Sequence, residues 1–420
     1  MSVAVSKKLN QTTFRSRLRL SAIDLLFIPL LGYMVFYVWL RPVGTIGLAL
    51  PLLAAALICI ASRKLLYTRT YIPFLLWSTT ILFFSLYELM PGSWTVHFDR
   101  FAAIRHFAPL VFLPLLATAF FIFFSRFGSI IERNVVFVLC TLYSIHVLIG
   151  ALTFLAGNPV MGGVGSIYTL TNSTMPMIIA LIIFLYREGT NLLVRLMGMS
   201  ALLLIASSAQ TFLVAVLFIA LSITRKRRFI ALLSLVCLAA FLAIAPLFPR
   251  ELHQLDANSG VRAVLWGDVW RLIADTKGLG VGFGTEYITN QFYLLKGADW
   301  GLENFHSDYL FIGTHSTFYD MLLRVGIVGF GLFLHWFLTV IFSQKSMPQK
   351  NAGIMFYAAA LIFVVSNAVN VGIYSINFLF GCAMVLGFME ALRSTSDCKS
   401  VPTGQIENSK VRRHARTAST

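Results

Sequence analysis

The sequence predicts an all-α polytopic membrane protein with about twelve transmembrane helices and one large extracytoplasmic loop. Of the 420 residues, 58% are hydrophobic and only 12% are charged, and the mean hydropathy is +0.80. Soluble proteins average roughly 45–50% apolar and about 25% charged residues. The apolar residues form long runs, and only one polar segment between these runs is long. These observations predict one membrane domain with a single large insert.

The predicted elements follow from the apolar runs, because about 17–25 such residues cross a hydrocarbon core roughly 30 Å thick. A basic arm, residues 1–21, comes first and is expected in the cytoplasm. Nine spans lie within 22–247, a loop covers 248–318, three spans lie within 319–391, and 392–420 form a cytoplasmic tail expected to be disordered. The predicted spans are 22–40, 43–61, 71–89, 107–125, 134–156, 167–186, 192–206, 209–224, 229–247, 324–342, 353–371 and 374–391.

The basic residues predict the orientation of the chain. With the N-terminus in the cytoplasm, 24 of the 33 Lys and Arg residues lie inside and nine lie outside. This bias is the usual topology signal of membrane proteins and places both termini in the cytoplasm. The net charge of +16 therefore does not predict a nucleic-acid partner. Because the arm enters the first span without a small-residue cleavage site, we expect a retained signal anchor.

The sequence shows no cofactor motif and no metal-ligand spacing, and it contains neither a P-loop nor a dinucleotide fingerprint. The loop contains no cysteine, so no disulfide stabilises it. We expect the loop to be ordered by packing against the membrane domain.

The first half of the loop, SGVRAVLWGDVWRLIADTKG, predicts an amphipathic helix that ends at Gly278. The apolar stripe of this helix consists of Trp266, Val269 and Ile273. The opposite, charged stripe consists of Asp268, Arg271 and Asp275. Arg262 lies on the apolar stripe beside Trp266. A guanidinium placed there either meets an anion or extends to the membrane surface, and the sequence leaves both open.

A glycine-rich segment, GLGVGFG, follows this helix, with glycines at Gly278, Gly280, Gly282 and Gly284. Alternating glycines leave one side of an extended segment bare. Another backbone or a ligand is then able to approach closely, and the pattern does not distinguish the two.

His315 begins the stretch that enters the tenth span. If this stretch is one helix, the residues within about 40° of the histidine are Tyr319, Leu322, Gly326 and Gly329. The two glycines would let a neighbouring helix pack closely, so we expect His315 on a rigid helical stem at the membrane face. Arg324 would lie about 180° away, outside the site. The sequence does not rank Asp308 and Asp320 as partners of the histidine, and a hydrogen-bonded structural role for His315 remains the alternative.

These residues resemble the O-antigen ligase and polysaccharide polymerase superfamily of bacterial envelopes. The family motif is His, then Asn, Ser or Gln, nine residues and Gly-x-x-Gly; its members here are His315, Ser316, Gly326 and Gly329. Arg262 with Trp266 resembles the family's Arg-x-x-x-Trp element, and GLGVGFG resembles its glycine-rich segment. The specific motifs cover about 260–330. The resemblance implies a GT-C-like architecture in the bacterial inner membrane.

The resemblance also implies a reaction, in which a glycan moves from an undecaprenyl diphosphate carrier to an acceptor hydroxyl without a metal. His315 would be the base that takes the hydroxyl proton. Arg262 would hold the leaving diphosphate, because a planar guanidinium donates two hydrogen bonds to phosphate. Trp266 belongs to the same substrate-binding set. Arg100 and Arg105, in the outer loop after the third span, are further diphosphate candidates, with interfacial anchoring as the alternative.

Two mid-chain positions come from the resemblance alone. TLTNSTMP in the sixth span resembles a family segment that bears an asparagine, which maps to Asn172. The family commonly has a Ser-Arg pair at the outer start of a later span, whereas this chain reads SSAQT. Gln210 therefore replaces one phosphate-binding charge.

Two activities within the family fit these residues. A polymerase joins lipid-linked repeat units, whereas a ligase moves the finished glycan to lipid A core or another acceptor. Gln210 favours polymerisation of an exopolysaccharide or O-antigen repeat, because polymerases vary more as a group. The implied partners are the undecaprenyl-diphosphate-linked glycan, the lipid bilayer, a chain-length regulator and export proteins. A flippase or solute transporter is the distant alternative, since it would place more ionisable groups inside its helices.

Overall fold

In the computed structural model the described chain is helical. The structure describes residues 22–40, 45–63, 65–66, 68–90, 98–133, 227–255, 257–285, 314–342, 350–368 and 376–398. The α-helices in these ranges are α1 Ala22–Leu25, α2 Phe27–Leu40, α3 Thr45–Ser62, α4 Thr68–Leu86, α5 Arg100–Arg133, α6 Arg227–Ile244, α7 Pro249–Leu255, α8 Ala257–Asp275, α9 Thr317–Phe342, α10 Lys350–Ala368 and α11 Ile376–Cys398. Within the described ranges, the β structure is a single isolated bridge between Phe98 and Thr285.

This architecture confirms the all-α class and the membrane character of the protein. Among the described helices, three are long and apolar enough to cross a membrane, over Arg100–Gly128, Phe229–Leu247 and Thr317–Phe342. Eight of the twelve predicted spans coincide with described helices. The other four, 134–156, 167–186, 192–206 and 209–224, lie outside the described residues.

The chain divides into two compact units, Met1–Lys64 and Leu65–Thr420. In the first unit α2 packs against α3. Leu30 of α2 and Ala55 and Ile58 of α3 are fully buried. Aliphatic side chains therefore form the core of this helix pair.

In the second unit, α11 lies along α5. Gly387 is the point of closest approach, where a Cβ atom would lie 2.6 Å from the backbone nitrogen of Phe121. Phe124 and Phe388 add an edge-to-face ring contact at 5.2 Å. A small residue at the crossing lets two membrane helices meet backbone to backbone.

Helix α4 packs against α9 mainly through aromatic side chains. Tyr71 meets Trp336 with ring centroids 4.9 Å apart, and the Nε1–H of Trp77 donates to the carbonyl of Val325 at 2.9 Å. A Cβ atom on Gly329 would lie 2.6 Å from the indole ring of Trp77. The prediction that Gly329 admits a neighbouring helix is therefore confirmed.

The predicted amphipathic helix is α8, and its apolar stripe is confirmed, since Trp266, Val269 and Ile273 are all buried. On the opposite, charged stripe, Asp268 is only 6% exposed and pairs with Arg271 at 3.3 Å. Helix α8 is therefore enclosed on more than one side. Its residues 263–265 are buried as well.

Helix α9 is broken at Gly326, whose φ is 68° and ψ is −172°. The glycine-rich segment occupies the break. The N–H of Ile327 donates to the carbonyl of Gly278 at 2.8 Å, and the N–H of Val281 donates to the carbonyl of Leu323 at 2.8 Å. The prediction that Gly326 admits a neighbouring helix is therefore wrong, because Gly326 contacts the backbone of this extended segment instead.

We expect Gly280→Ala to destabilise the protein by more than about 1 kcal/mol, because φ at Gly280 is +82° and a left-handed non-glycine residue costs roughly 1–2 kcal/mol. The added Cβ would also lie 2.7 Å from the Gly326 nitrogen and the Leu323 oxygen. Gly331→Ala in α9 is the matched control, since a Cβ there has no neighbour within 4 Å. Thermal unfolding in detergent, followed by fluorescence-detected gel filtration, measures both. Equal midpoints for the two variants would contradict the packing described above.

Candidate functional site

His315 lies on a tight turn immediately before α9. The helix begins at Thr317, and His315 has a φ of 57°. The prediction that His315 stands on a helical stem above Gly326 and Gly329 is therefore wrong, because a left-handed residue interrupts helical geometry. This conformation costs roughly 1–2 kcal/mol in a non-glycine residue, so the neighbouring contacts must stabilise it.

The residues on either side of His315 supply those contacts. The N–H of Thr314 donates to Asp320 Oδ1 at 2.9 Å. Thr314 Oγ1 donates to the carbonyl of Ser316 at 2.8 Å and accepts the Ser316 N–H at 3.2 Å. A hydrogen bond to a charged group contributes roughly 1.5–3 kcal/mol. The Asp320 contact thus contributes to stabilising the left-handed turn.

Helix α8 is attached to the turn through Trp266. Its Nε1–H donates to the carbonyl of Thr314 at 2.9 Å, and its ring stacks on Tyr319 with centroids 5.1 Å apart and planes 6° apart. The Tyr319 hydroxyl donates to the carbonyl of Leu242 at 2.6 Å and accepts from Trp270 Nε1 at 3.2 Å. These four side-chain contacts join α6, α8 and α9 at one place.

The attachment brings the two principal predicted site residues to the same region. Arg262 precedes Trp266 by one helical turn, so both side chains leave the same face of α8. Arg262 and His315 are both partly buried. Trp266 is only 1% exposed, and its indole nitrogen is used by Thr314. Arg262 and His315 are therefore the partly accessible members of this group.

The glycine-rich segment contacts other parts of the protein at its glycines, where the sequence was compatible with either a neighbouring backbone or a ligand. A Cβ atom would meet Gly326 and Leu323 at position 280, the Ser85 side chain at 282, and Asp99 and Ala103 at 284. The N–H of Phe283 also donates to Ser85 Oγ at 2.9 Å. Of the two alternatives, the approach of another backbone is the one that the structure shows.

Arg324 has a role that the sequence did not predict. It is 3% exposed, and its NH1 group donates to the Thr285 carbonyl at 2.6 Å, to Thr285 Oγ1 at 3.0 Å and to the Gly282 carbonyl at 3.3 Å. The guanidinium thus holds the end of the glycine-rich segment. These hydrogen bonds give the structural reason for its burial.

Arg100 and Arg105 lie on the first two turns of α5. They were expected in the loop that precedes it, and the helix begins earlier than predicted because its apolar face continues through Ala102 and Ala103, which are buried. Arg100 is exposed and lies 3.8 Å from Glu88, and Arg105 is exposed. The start of α5 packs on Gly284. Both cations are thus anchored to the glycine-rich segment through their helix.

Some predicted positions lie outside the described residues, namely Asn172, Gln210 and Asp308. Among the described residues, no group of three or more His, Cys, Asp and Glu is arranged to hold a metal ion. Sequence reasoning missed the contributions of Arg324 and Ser85, and it left Asp320 unranked against Asp308 as a partner of His315. Asp320 carried one visible signal, since an acidic residue in the first turn of a helix complements the helix dipole.

We expect Trp266→Phe to destabilise the protein by about 1–3 kcal/mol, because it leaves the buried Thr314 carbonyl without its indole donor. The phenyl ring still stacks on Tyr319, so the loss reports the hydrogen bond together with the volume removed from a buried side chain. Trp270→Phe is the control: Trp270 is 48% exposed, and the Tyr319 hydroxyl keeps its bond to Leu242. Thermal midpoints in detergent measure the difference, and a Trp266→Phe midpoint at or above that of Trp270→Phe would refute it.

Comparison with known proteins addresses the family directly. Residues 192–334 match the family model described as O-antigen ligase. The matched region includes α6, α8, the glycine-rich segment, the His315 turn and most of α9. No curated protein and no solved structure matches the chain significantly. Residues 192–334 of this integral membrane protein are therefore similar to the O-antigen ligase family.

Proposed function

We propose that the protein polymerises undecaprenyl-diphosphate-linked oligosaccharide repeat units into a surface polysaccharide at the outer face of the bacterial inner membrane. One observation carries the proposal: the hydrogen bond from Trp266 to Thr314 attaches the helix of Arg262 to the turn of His315. A cation and a titratable imidazole, both partly accessible, are the two groups that transfer from a diphosphate requires. In this proposal both chain termini are cytoplasmic and the His315 turn faces the outside.

His315 acts in the proposed reaction as general base. A neutral imidazole nitrogen takes the proton of an acceptor sugar hydroxyl as the hydroxyl oxygen attacks the anomeric carbon of the lipid-linked glycan. The bond between that carbon and the diphosphate oxygen breaks, and its electron pair stays on the undecaprenyl diphosphate. Each new glycosidic bond joins the glycan to the acceptor and so lengthens the polysaccharide chain.

Arg262 holds the departing diphosphate. Negative charge grows on the leaving oxygen, and a guanidinium stabilises it through paired charge-assisted hydrogen bonds. Arg100 and Arg105, at the exposed start of α5, are the further cations proposed for the carrier headgroup, with Asn172 and Gln210 as additional polar contacts. These cations supply the charge that a metal supplies in other transferases, so the proposed reaction is metal-independent.

Polymerisation is preferred over ligation because Gln210 replaces a charge that is common in the family. The family match itself supports either activity. A ligase would transfer the finished glycan to lipid A core or another acceptor with the same two groups. A chain-length regulator and export proteins are the proposed partners of the polymerase.

We expect His315→Asn to lower glycan transfer by about 10²–10⁴-fold, the usual contribution of a general base. Asparagine is the informative replacement, because it tolerates the left-handed conformation that His315 adopts at φ 57°. His315→Ala would remove the base and strain the turn together. Transfer is measured in membranes with lipid-linked repeat units from a strain that lacks the protein, and thermal midpoints verify folding. Wild-type transfer by His315→Asn would refute the base assignment.

The products of the His315→Asn strain also separate the two activities. Accumulated single lipid-linked repeats support polymerisation, since the first joining step fails. Long lipid-linked chains that are never transferred would contradict it and support a ligase. Gel electrophoresis of the extracted lipid-linked glycans distinguishes these outcomes.

We expect Arg262→Gln to lower kcat/KM for the lipid-linked donor by about 10²–10³-fold, as the loss of one group that stabilises developing charge usually does. Arg271→Gln is the matched control on the same helix, since Arg271 is exposed and pairs with Asp268. Arg262→Lys keeps the charge but loses the two-pronged donor, so its activity should fall between those of wild type and Arg262→Gln. Equal loss in the Arg262→Gln and Arg271→Gln proteins would argue against a diphosphate contact.

A further inference from the structure

We propose that Asp320 is a positioning residue for glycan transfer, which holds the three-residue turn 314–316 so that the His315 imidazole meets the acceptor hydroxyl. The inference rests on the proposed function of His315. It also separates two carboxylates that the sequence left unranked, since Asp308 lies outside the described residues and Asp320 bonds the turn directly.

Asp320 contacts both neighbours of His315. Its Oδ1 accepts the N–H of Thr314 at 2.9 Å, and its own N–H donates to the carbonyl of Ser316 at 2.9 Å. One residue therefore fixes the turn on the side before the histidine and on the side after it. The histidine between them is left-handed, a conformation that relaxes when its flanking contacts are lost.

The carboxylate uses only one of its oxygens for this contact. Asp320 is 3% exposed, and within the described residues neither its Oδ2 atom nor the buried Oγ of Ser316 has a hydrogen-bond partner. A carboxylate buried with an unused oxygen is costly, and an apolar side chain would fill the space more favourably. Its presence is explained by the acceptor that it presents to Thr314.

Because only one oxygen of Asp320 accepts a hydrogen bond from the turn, substitutions are able to test the position of that oxygen and the charge of the side chain separately. Asp320→Asn keeps an oxygen at the Oδ1 position and removes the charge, whereas Asp320→Glu keeps the charge and displaces the oxygens by one methylene. Asp320→Ala removes both. Asp24, a buried aspartate of the other compact unit, supplies the matched control Asp24→Asn.

The test compares these variants in the full-length protein with lipid-linked repeat units from a strain that lacks it. We expect Asp320→Ala to lower kcat by about 100-fold, the loss that about 1 Å of misplacement causes. KM for the donor should change by less than about threefold, since no donor contact is removed. Asp320→Glu should lower kcat at least about tenfold. We expect this variant to fold, so that it provides the test if Asp320→Ala does not fold. Asp320→Asn and Asp24→Asn should retain kcat within about threefold of wild type.

Hydrogen exchange at the Thr314 and Ser316 amides gives a readout that does not depend on activity. We expect faster exchange in Asp320→Ala and Asp320→Glu and near-wild-type protection in Asp320→Asn. Wild-type kcat in Asp320→Glu, or an inactive Asp320→Asn with protected amides, would overturn the positioning role. If His315→Asn is active while Asp320→Ala still exposes the amides, the proposed function fails and the contact to the turn stands.

Discussion

The structure depends on a break in α9 that the glycine-rich segment closes. Helical hydrogen bonding stops at Gly326, which would leave the Ile327 N–H and the Leu323 carbonyl without their helical partners. Gly278 and Val281 pair with these groups. The same segment contacts Ser85 at the end of α4 and Ala103 near the start of α5. One extended segment therefore contacts the three helices α4, α5 and α9.

The site inherits its geometry from the first turns of that helix. Asp320 holds the turn that contains His315, and Tyr319 stacks on Trp266 of α8. Arg324, one turn further, binds the end of the glycine-rich segment. Positions 319, 320 and 324, on the first turns of α9, thus attach it to three separate parts of the chain. The histidine is displayed on a turn rather than on the helix because α9 must begin where these contacts can form.

Periodicity predicted the helices well and the turn poorly. The buried stripe of α8 and the close packing at Gly329 follow from apolar and small-residue spacing alone. The left-handed His315 and the break at Gly326 do not, because a histidine and a glycine are both compatible with a continuous helix in sequence. The burial of Asp268 does not follow from spacing either, because a charge on the polar stripe becomes buried when neighbouring chain encloses the helix. The local sequence pattern determines which face of a helix is buried, whereas contacts between residues distant in sequence determine where the helix ends or breaks.

The degree of burial separates the charged residues that hold the structure from the residues proposed to act in the reaction. Asp320 and Arg324 are both nearly inaccessible and both bind backbone groups, so these two side chains hold segments in place. Arg262 and His315 are only partly buried, and the bond between Trp266 and Thr314 keeps their two segments together. A guanidinium that already satisfies carbonyl oxygens is a poor partner for a phosphate, because binding an anion would leave those oxygens unpaired. Arg324 is therefore a poor candidate for the proposed diphosphate contact, although it is closer to the histidine in sequence than Arg262 is.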